Sequence, residues 1–191
     1  MDIEYIKNNY NFELLDSNHD LSCFFSDSDD LNKFLKEDAL DQQNKKFSLT
    51  KLICCNGDII GYFSLLADKI KVSKMANEDS KMIKEKIDYK ELPAIKIGRF
   101  AIDKKYTNQG LGTMVLESIM NCIYNISIND VGLRYITVDG YAKAYNFYVK
   151  YNGFSVLKKD EKIINNIDKI IEKTPERTIS LYFDIYRASK N

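Results

Sequence analysis

A strand that runs into a paired-glycine turn and then a long apolar helix constrains this 191-residue chain more than any other stretch. Ala94-Ile-Lys-Ile-Gly-Arg-Phe-Ala-Ile102 reads as a long apolar strand. Gly98 inside it predicts a bulge or a close approach by something else. After a short polar turn comes Thr107-Asn108-Gln109-Gly110-Leu111-Gly112-Thr113. The stripe Leu111, Met114, Val115, Ser118, Ile119, Cys122, Ile123 and Ile126 then keeps the clearest helical period in the chain. This order sets backbone N–H groups at a helix N-terminus, where the helix dipole favours an anion. Residues without a side chain let a phosphate come close to the main chain. A bare GxG is equally compatible with an ordinary strand-to-helix turn. The standard nucleotide fingerprints are absent: there is no GxxxxGK[ST], and GxGxxG fails at Val115.

The remaining elements predict a mixed α/β sheet, mainly antiparallel and flanked by helices, in a single domain over residues 1–191. Phe12 to Leu15 reads as a short strand. Ser28 stands as an N-cap before Leu31, Phe34, Leu35 and Ala39, a helical stripe predicted to end near Lys46. Leu49 to Cys55 and Ile59 to Ala67 are strands joined at Asn56-Gly57-Asp58, a strong hairpin signal. Lys69 to Lys90 is charged and partly helical in this reading. Tyr135 to Val138 predicts a strand, Ala142 to Tyr151 a helix stopped at Asn152-Gly153, and Phe154 to Leu157 a further strand. An amphipathic helix at Asp160 to Lys173 reads as an insertion spanning 158–174, and Thr178 to Tyr186 as the closing strand.

Composition excludes several classes. With 45% hydrophobic and 29% charged residues the chain is neither disordered nor collagen-like. No apolar run approaches the ~20 residues of a membrane helix, and the N-terminus does not read as a signal peptide. Cys23, Cys54, Cys55 and Cys122 form no CxxC pair and His19 is the lone histidine, so no metal is expected and reduced thiols in a cytoplasmic protein are. His19 reads as a surface residue. Formal net charge is zero, but residues 1–41 carry eleven acids and three bases, whereas the remainder carries 25 bases and 17 acids. That basic remainder suits an anionic ligand, a coenzyme phosphate or an RNA backbone.

Two segments together resemble the GNAT superfamily of acetyl-CoA-dependent N-acetyltransferases. Gly110 and Gly112 match its [Q/R]xxGx[G/A] motif, with Thr107 where Gln or Arg is usual. Ala144-Tyr-Asn-Phe-Tyr148-Val-Lys-Tyr-Asn-Gly-Phe154 is close to its AxxFYxKxGF segment. The toxin branch, whose members acetylate the amino acid on charged tRNA, is the closer resemblance. It is carried by Leu92 to Asp103, by Phe25 with Leu31-Asn32-Lys-Phe34-Leu35, and by Gly61-Tyr-Phe-Ser-Leu65.

The resemblance implies acetyl-CoA as co-substrate, with Asn108, Gln109, Gly110, Leu111, Gly112 and Thr113 holding its diphosphate. It implies that Phe100, Ala101 and Ile102 pair with the pantetheine arm as an extra strand would, and that Tyr148 is the general acid. The other reading of Tyr148 is a core aromatic beside Phe147. On the acceptor side Arg99, Lys45 and Lys46 are candidates, with Lys51, Lys96, Lys104 and Lys105 nearby in sequence; solvated lysines are the other reading for most of them. Expected partners are acetyl-CoA, charged tRNA, an antitoxin protein and a second copy of the chain, with no membrane. A small amine or a protein N-terminus is the alternative acceptor, and a non-catalytic acyl-CoA-binding module the alternative class.

Overall fold

A computed structural model of the chain describes residues 2–84 and 89–188. In chain order the helices and strands are α1 (Ile3–Asn9), β1 (Asn11–Leu14), α2 (Asp29–Lys33), α3 (Ala39–Asn44), β2 (Leu49–Cys55), β3 (Asp58–Lys71) and α4 (Asn77–Lys84). Then follow β4 (Glu91–Ile102), α5 (Leu111–Asn129), β5 (Tyr135–Tyr141), β6 (Ser155–Val156), α6 (Glu161–Ile164), α7 (Ile167–Lys173), β7 (Thr178–Asp184) and α8 (Ile185–Ala188). The strands belong to one seven-stranded sheet ordered β1-β2-β3-β4-β5-β7-β6. It is the mixed, mainly antiparallel sheet with flanking helices that the sequence predicts. The chain forms two compact units, one of residues up to Leu66 with Ile97–Ser118, the other of Ala67–Lys96 with residues from Ile119 on.

In the first unit β1, β2 and the opening of β3 pair antiparallel, from Asn11 opposite Cys54 to Leu49 opposite Leu65. The hairpin between β2 and β3 has both central residues at positive φ, Asn56 at 49° and Gly57 at 83°, the geometry whose twist matches the flanking strands. Leu15, Phe24, Phe34, Leu35, Ala39, Leu52, Cys54, Tyr62 and Ala101 form its core. Full burial of a side chain such as Leu35 contributes about 1.5–3 kcal/mol. Gly61 allows a tight approach: a Cβ there would stand 2.6 Å from the carbonyl oxygen of Ala101. At Gly98 a Cβ would meet Leu66 Cδ2 at 2.7 Å, so the predicted close approach is made by a side chain.

In the second unit β5 pairs with β7 from Tyr135–Asp184 to Tyr141–Thr178, and β6 adds two residues to β7. Its core includes Ile70, Val72, Met75, Ile83, Leu92, Ala94, Tyr135 and Tyr182. Tyr182 donates to Asp79, and Arg187 pairs with the same carboxylate at 2.7 Å, which ties α4 to β7 and α8.

Several elements differ from the sequence reading. α1 carries one buried residue, Ile6, and so no periodic stripe that would announce it. Ser28 occupies the N-cap position of α2, but its side chain makes no capping bond. The predicted helix from Ser28 to Lys46 is interrupted by a π turn at Phe34–Asp38 and ends at Asn44, and Lys46 takes φ 63°. Ala142 to Tyr151 is a 3-10 turn (Ala142–Ala144) followed by a π-helical turn (Asn146–Tyr151), not an α-helix. The 158–174 segment contains two short helices, α6 and α7, broken at Asn165 and Asn166. Side chains of that type compete with helical bonding. β3 continues to Lys71, past its expected end, and α4 follows within the charged segment; residues 85–88 of it lie outside the described residues. α5, at 19 residues, is long and apolar enough to cross a membrane by length and composition alone. The expectation that no apolar run reaches such a length does not hold for it. Leu111, Val115, Leu116, Ile119 and Ile123 are fully buried, as in a core helix.

Candidate active site

The turn that follows β4 is built by Asp103. Its carboxylate accepts from the backbone N–H of Lys105 at 2.9 Å and of Phe25 at 3.0 Å, starting a 3-10 turn at Lys104–Tyr106. Thr107 Oγ1 donates to the Lys104 carbonyl (3.1 Å) and Gln109 Nε2 to the Lys105 carbonyl (3.2 Å). Both side chains therefore fold back onto the turn and leave the main chain facing out. Asn108 and Gly110 adopt positive φ, 60° and 78°, which turns successive N–H groups to one side. Among the described residues no protein acceptor meets the N–H groups of Gln109 to Thr113. The start of α5 carries no acidic side chain to occupy them. A Cβ on Gly110 would meet nothing within 4 Å, so the space before the turn is open. Unpaired donors, a helix N-terminus and open space are what a diphosphate requires.

Phe100, Ala101 and Ile102 end β4 as predicted, with Ala101 6% exposed in the core and its two neighbours half-buried. The strand end is fixed by the Asp103 N–H donating to the Ile60 carbonyl at 2.7 Å.

In the second unit Tyr148 lies on the π-helical turn, buried at 7% exposure. Phe147 and Phe154 meet its ring edge-on, at centroid distances of 4.9 and 5.4 Å. Gly140 of β5 lies against it: a Cβ there would stand 3.2 Å from ring carbons Cδ2 and Cε2. The ring is thus held by packing, while among the described residues its hydroxyl takes no protein hydrogen bond. Burial pushes the phenol above its ordinary range, so it stays protonated. A π turn at this point is a frequent mark of a functional residue.

No family model matches the chain. A tRNA-acetylating toxin of Mycobacterium tuberculosis (strain ATCC 25618 / H37Rv) is 24% identical over 135 residues, 70% of this chain and 77% of that protein. The solved structure of AtaT complexed with acetyl-methionyl-tRNAfMet superposes at TM-score 0.76, with 24% identity, covering 95% of this chain and 98% of that one. A tyrosine-to-phenylalanine variant of AtaT, bound to the C-terminus of the antitoxin AtaR and acetyl-CoA, superposes at 0.69 with 22% identity, covering 95% and 97%.

This is the fold of the GNAT acetyltransferase toxins.

In this GNAT toxin fold the acceptor-side candidates separate. Arg99 stacks over the Phe34 ring at 4.9 Å and donates from Nη1 to the Gly98 carbonyl at 2.9 Å. Among the described residues its buried Nε has no partner, a donor left over after the hydrogen bonds of the fold are made. Lys45 forms an exposed ion pair with Asp41 at 2.8 Å, and Lys46 is exposed beside it. Lys96 pairs with Asp139 in the second unit. Burial alone would raise Asp139, but the Lys96 and Ser180 hydrogen bonds hold it below the usual carboxylate range. Lys96 is thereby committed to the fold.

His19 sits between Asp16 (2.9 Å) and Glu13 (3.4 Å) on the β1 side. The described cysteines are all free, and burial followed by the nearby Glu13 pushes the Cys54 thiol up to about 12, so it is inert. Among the described residues no three His, Cys, Asp or Glu side chains could hold a metal ion. The sequence reading missed Asp103, which builds the turn, and Gly140, which seats the tyrosine. An acid directly after a strand and a glycine within one are the only signals either leaves.

Proposed function

We propose that the chain is an acetyl-CoA-dependent N-acetyltransferase whose acceptor is the α-amino group of aminoacyl-tRNA. It would act in the cytoplasm as the toxin of a toxin–antitoxin pair. The observation that carries this reading is the chain-long match to a toxin solved with its acetylated aminoacyl-tRNA product. The curated relative is likewise a tRNA-acetylating toxin, and AtaT also binds the antitoxin AtaR. In this reading residues 1–191 form one acetyltransferase domain and 158–174 is a helical insertion.

The residues present fit acetyl-CoA, on the evidence of the unpaired N–H groups and the left-handed Gly110 at the start of α5. Bound there, the coenzyme supplies an activated acetyl thioester. The N–H groups of Gln109, Gly110, Leu111, Gly112 and Thr113, with Asn108 setting the turn, hold the diphosphate. Phe100, Ala101 and Ile102 align the pantetheine arm through main-chain bonds, and a backbone N–H there steadies the thioester oxygen as it gains charge. Thr107 supplies no long side chain to the phosphates, so the grip rests on the main chain. Tyr148 gives its phenolic proton to the departing sulfur as the new carbon–nitrogen bond forms and the carbon–sulfur bond breaks. The proton lost by the amine returns to the phenol through water. No dedicated base is required, because an α-amine with pKa near ~8 is partly neutral at cellular pH. Arg99, with Lys45 and Lys46 further out, serves the acceptor.

Induced expression tests the reading. Translation and growth arrest, relieved by Tyr148→Phe, are expected; harmless accumulation of active enzyme would contradict the choice of acceptor.

A further inference from the structure

Phe24 and Phe25 are adjacent aromatics with opposite fates. Phe24 is 1% exposed and packs edge-on against Tyr62 at 5.6 Å, whereas Phe25 is 45% exposed. Phe25 is nonetheless rigidly held: its N–H donates to Asp103 Oδ2 at 3.0 Å and its carbonyl accepts from the Lys104 N–H at 2.8 Å. Both bonds go to the turn that joins the end of β4 to the glycine cradle. Two ammonium groups lie over the ring, Lys36 Nζ at 3.8 Å from its centroid and Lys104 Nζ at 5.6 Å, and the residue stays 45% exposed beside them. Lys36 also donates to the Ser22 carbonyl at 3.4 Å, a weak bond that helps hold it over the ring. Asp103 is bonded to two backbone N–H groups, and Asp20 accepts from the Ser22 N–H at 2.9 Å.

A half-exposed aromatic ring held by its own backbone, with ammonium groups over part of it, matches the chemistry of an unpaired nucleotide. The base takes the ring and the phosphates take the ammonium groups. A peptide ligand would have little use for two lysines around one phenyl ring, and a duplex would present no free base face. We infer that the part of the Phe25 ring left open beside Lys36 and Lys104 is a stacking platform for a nucleotide of the single-stranded end of the acceptor RNA. This rests on the proposed acceptor and names the residues that would seat it.

The test uses the full chain and an RNA hairpin with a single-stranded 3′ overhang carrying 2-aminopurine at its last adenine position. Wild type should quench the fluorophore on binding, and Phe25→Trp should keep that signal. Phe25→Ala should lose affinity by roughly five- to hundredfold, the range of base–aromatic stacking. Lys36→Ala and Lys104→Ala should each flatten the dependence of log affinity on log salt by about 0.7. Acetyl-CoA affinity should be unchanged in all four variants, and the melting temperature of Phe25→Ala should match wild type because the ring is outside the core. RNA affinity unmoved by Phe25→Ala, or no quenching by wild type, overturns the platform. Loss of acetyl-CoA affinity instead would assign the ring to the coenzyme's adenine and also overturn it. The two proposals fail separately. Wild type that quenches the hairpin but leaves charged tRNA unacetylated contradicts the acceptor, whereas acetylation with a KM for charged tRNA indifferent to Phe25→Ala contradicts the platform.

Discussion

In the proposed site, the groups offered at the start of α5 are main-chain amides facing open space, whereas Tyr148 offers one oxygen on a ring packed against Phe147, Phe154 and Gly140. The first region owes its competence to backbone angles, and its side chains, Thr107 and Gln109, are spent on holding the turn. The second owes its competence to a single side chain, and the surrounding residues only aim it. Substitutions should therefore grade smoothly in the cradle and act abruptly at the tyrosine.

The largest effect is expected at the phenol itself. Tyr148→Phe keeps the ring contacts and removes the proton, so kcat should fall about 10²–10⁴-fold. Acetyl-CoA affinity, measured by calorimetry, should hold; undiminished turnover would remove the tyrosine from the reaction. Gly140→Ala comes next. Its methyl would crowd the ring at 3.2 Å, and a shift of a few tenths of an ångström should cost kcat roughly tenfold while leaving coenzyme binding alone. In the cradle, Gly110→Val forces a branched residue to φ 78° in open space. A penalty of about 1–2 kcal/mol should weaken acetyl-CoA binding roughly tenfold. Gly110→Asn, which tolerates that conformation, should cost less, and equal losses for the two would refute the backbone account.

The pH profile sharpens the contrast further. Burial raises the Tyr148 phenol, so the acid remains loaded as pH climbs, and the rate should rise with the neutral fraction of an amine near pKa ~8 and then level. A decline beginning below pH 9 would point to an acid other than this buried phenol. The smallest change is Thr107→Gln, which should tighten acetyl-CoA a few-fold by adding the side-chain donor the turn lacks.

Much of this was legible in the residues. The stripe from Leu111 to Ile126 announced α5, and Asn56-Gly57 announced the hairpin, because each depends on local periodicity or local turn chemistry. Of the paired glycines, Gly110 marked the turn ahead of α5, where the backbone takes φ 78°. The π turns at Phe34–Asp38 and Asn146–Tyr151 were not legible, since tertiary packing decides where one extra residue enters a helix. Nor were the fates of the lysines. Lys96 is absorbed by Asp139, which lies 43 residues further along the chain, while Lys36 comes to lie over Phe25. Charge counted along a sequence does not reveal which cations the fold has already used.

The central claim is acetyl transfer to the amino acid of a charged tRNA. Purified protein incubated with labelled acetyl-CoA, aminoacyl-tRNA, deacylated tRNA and a panel of small amines should place the label on the aminoacyl group, and Tyr148→Phe should place it nowhere. Label confined to the small amines, with the charged tRNA left bare, would contradict the account.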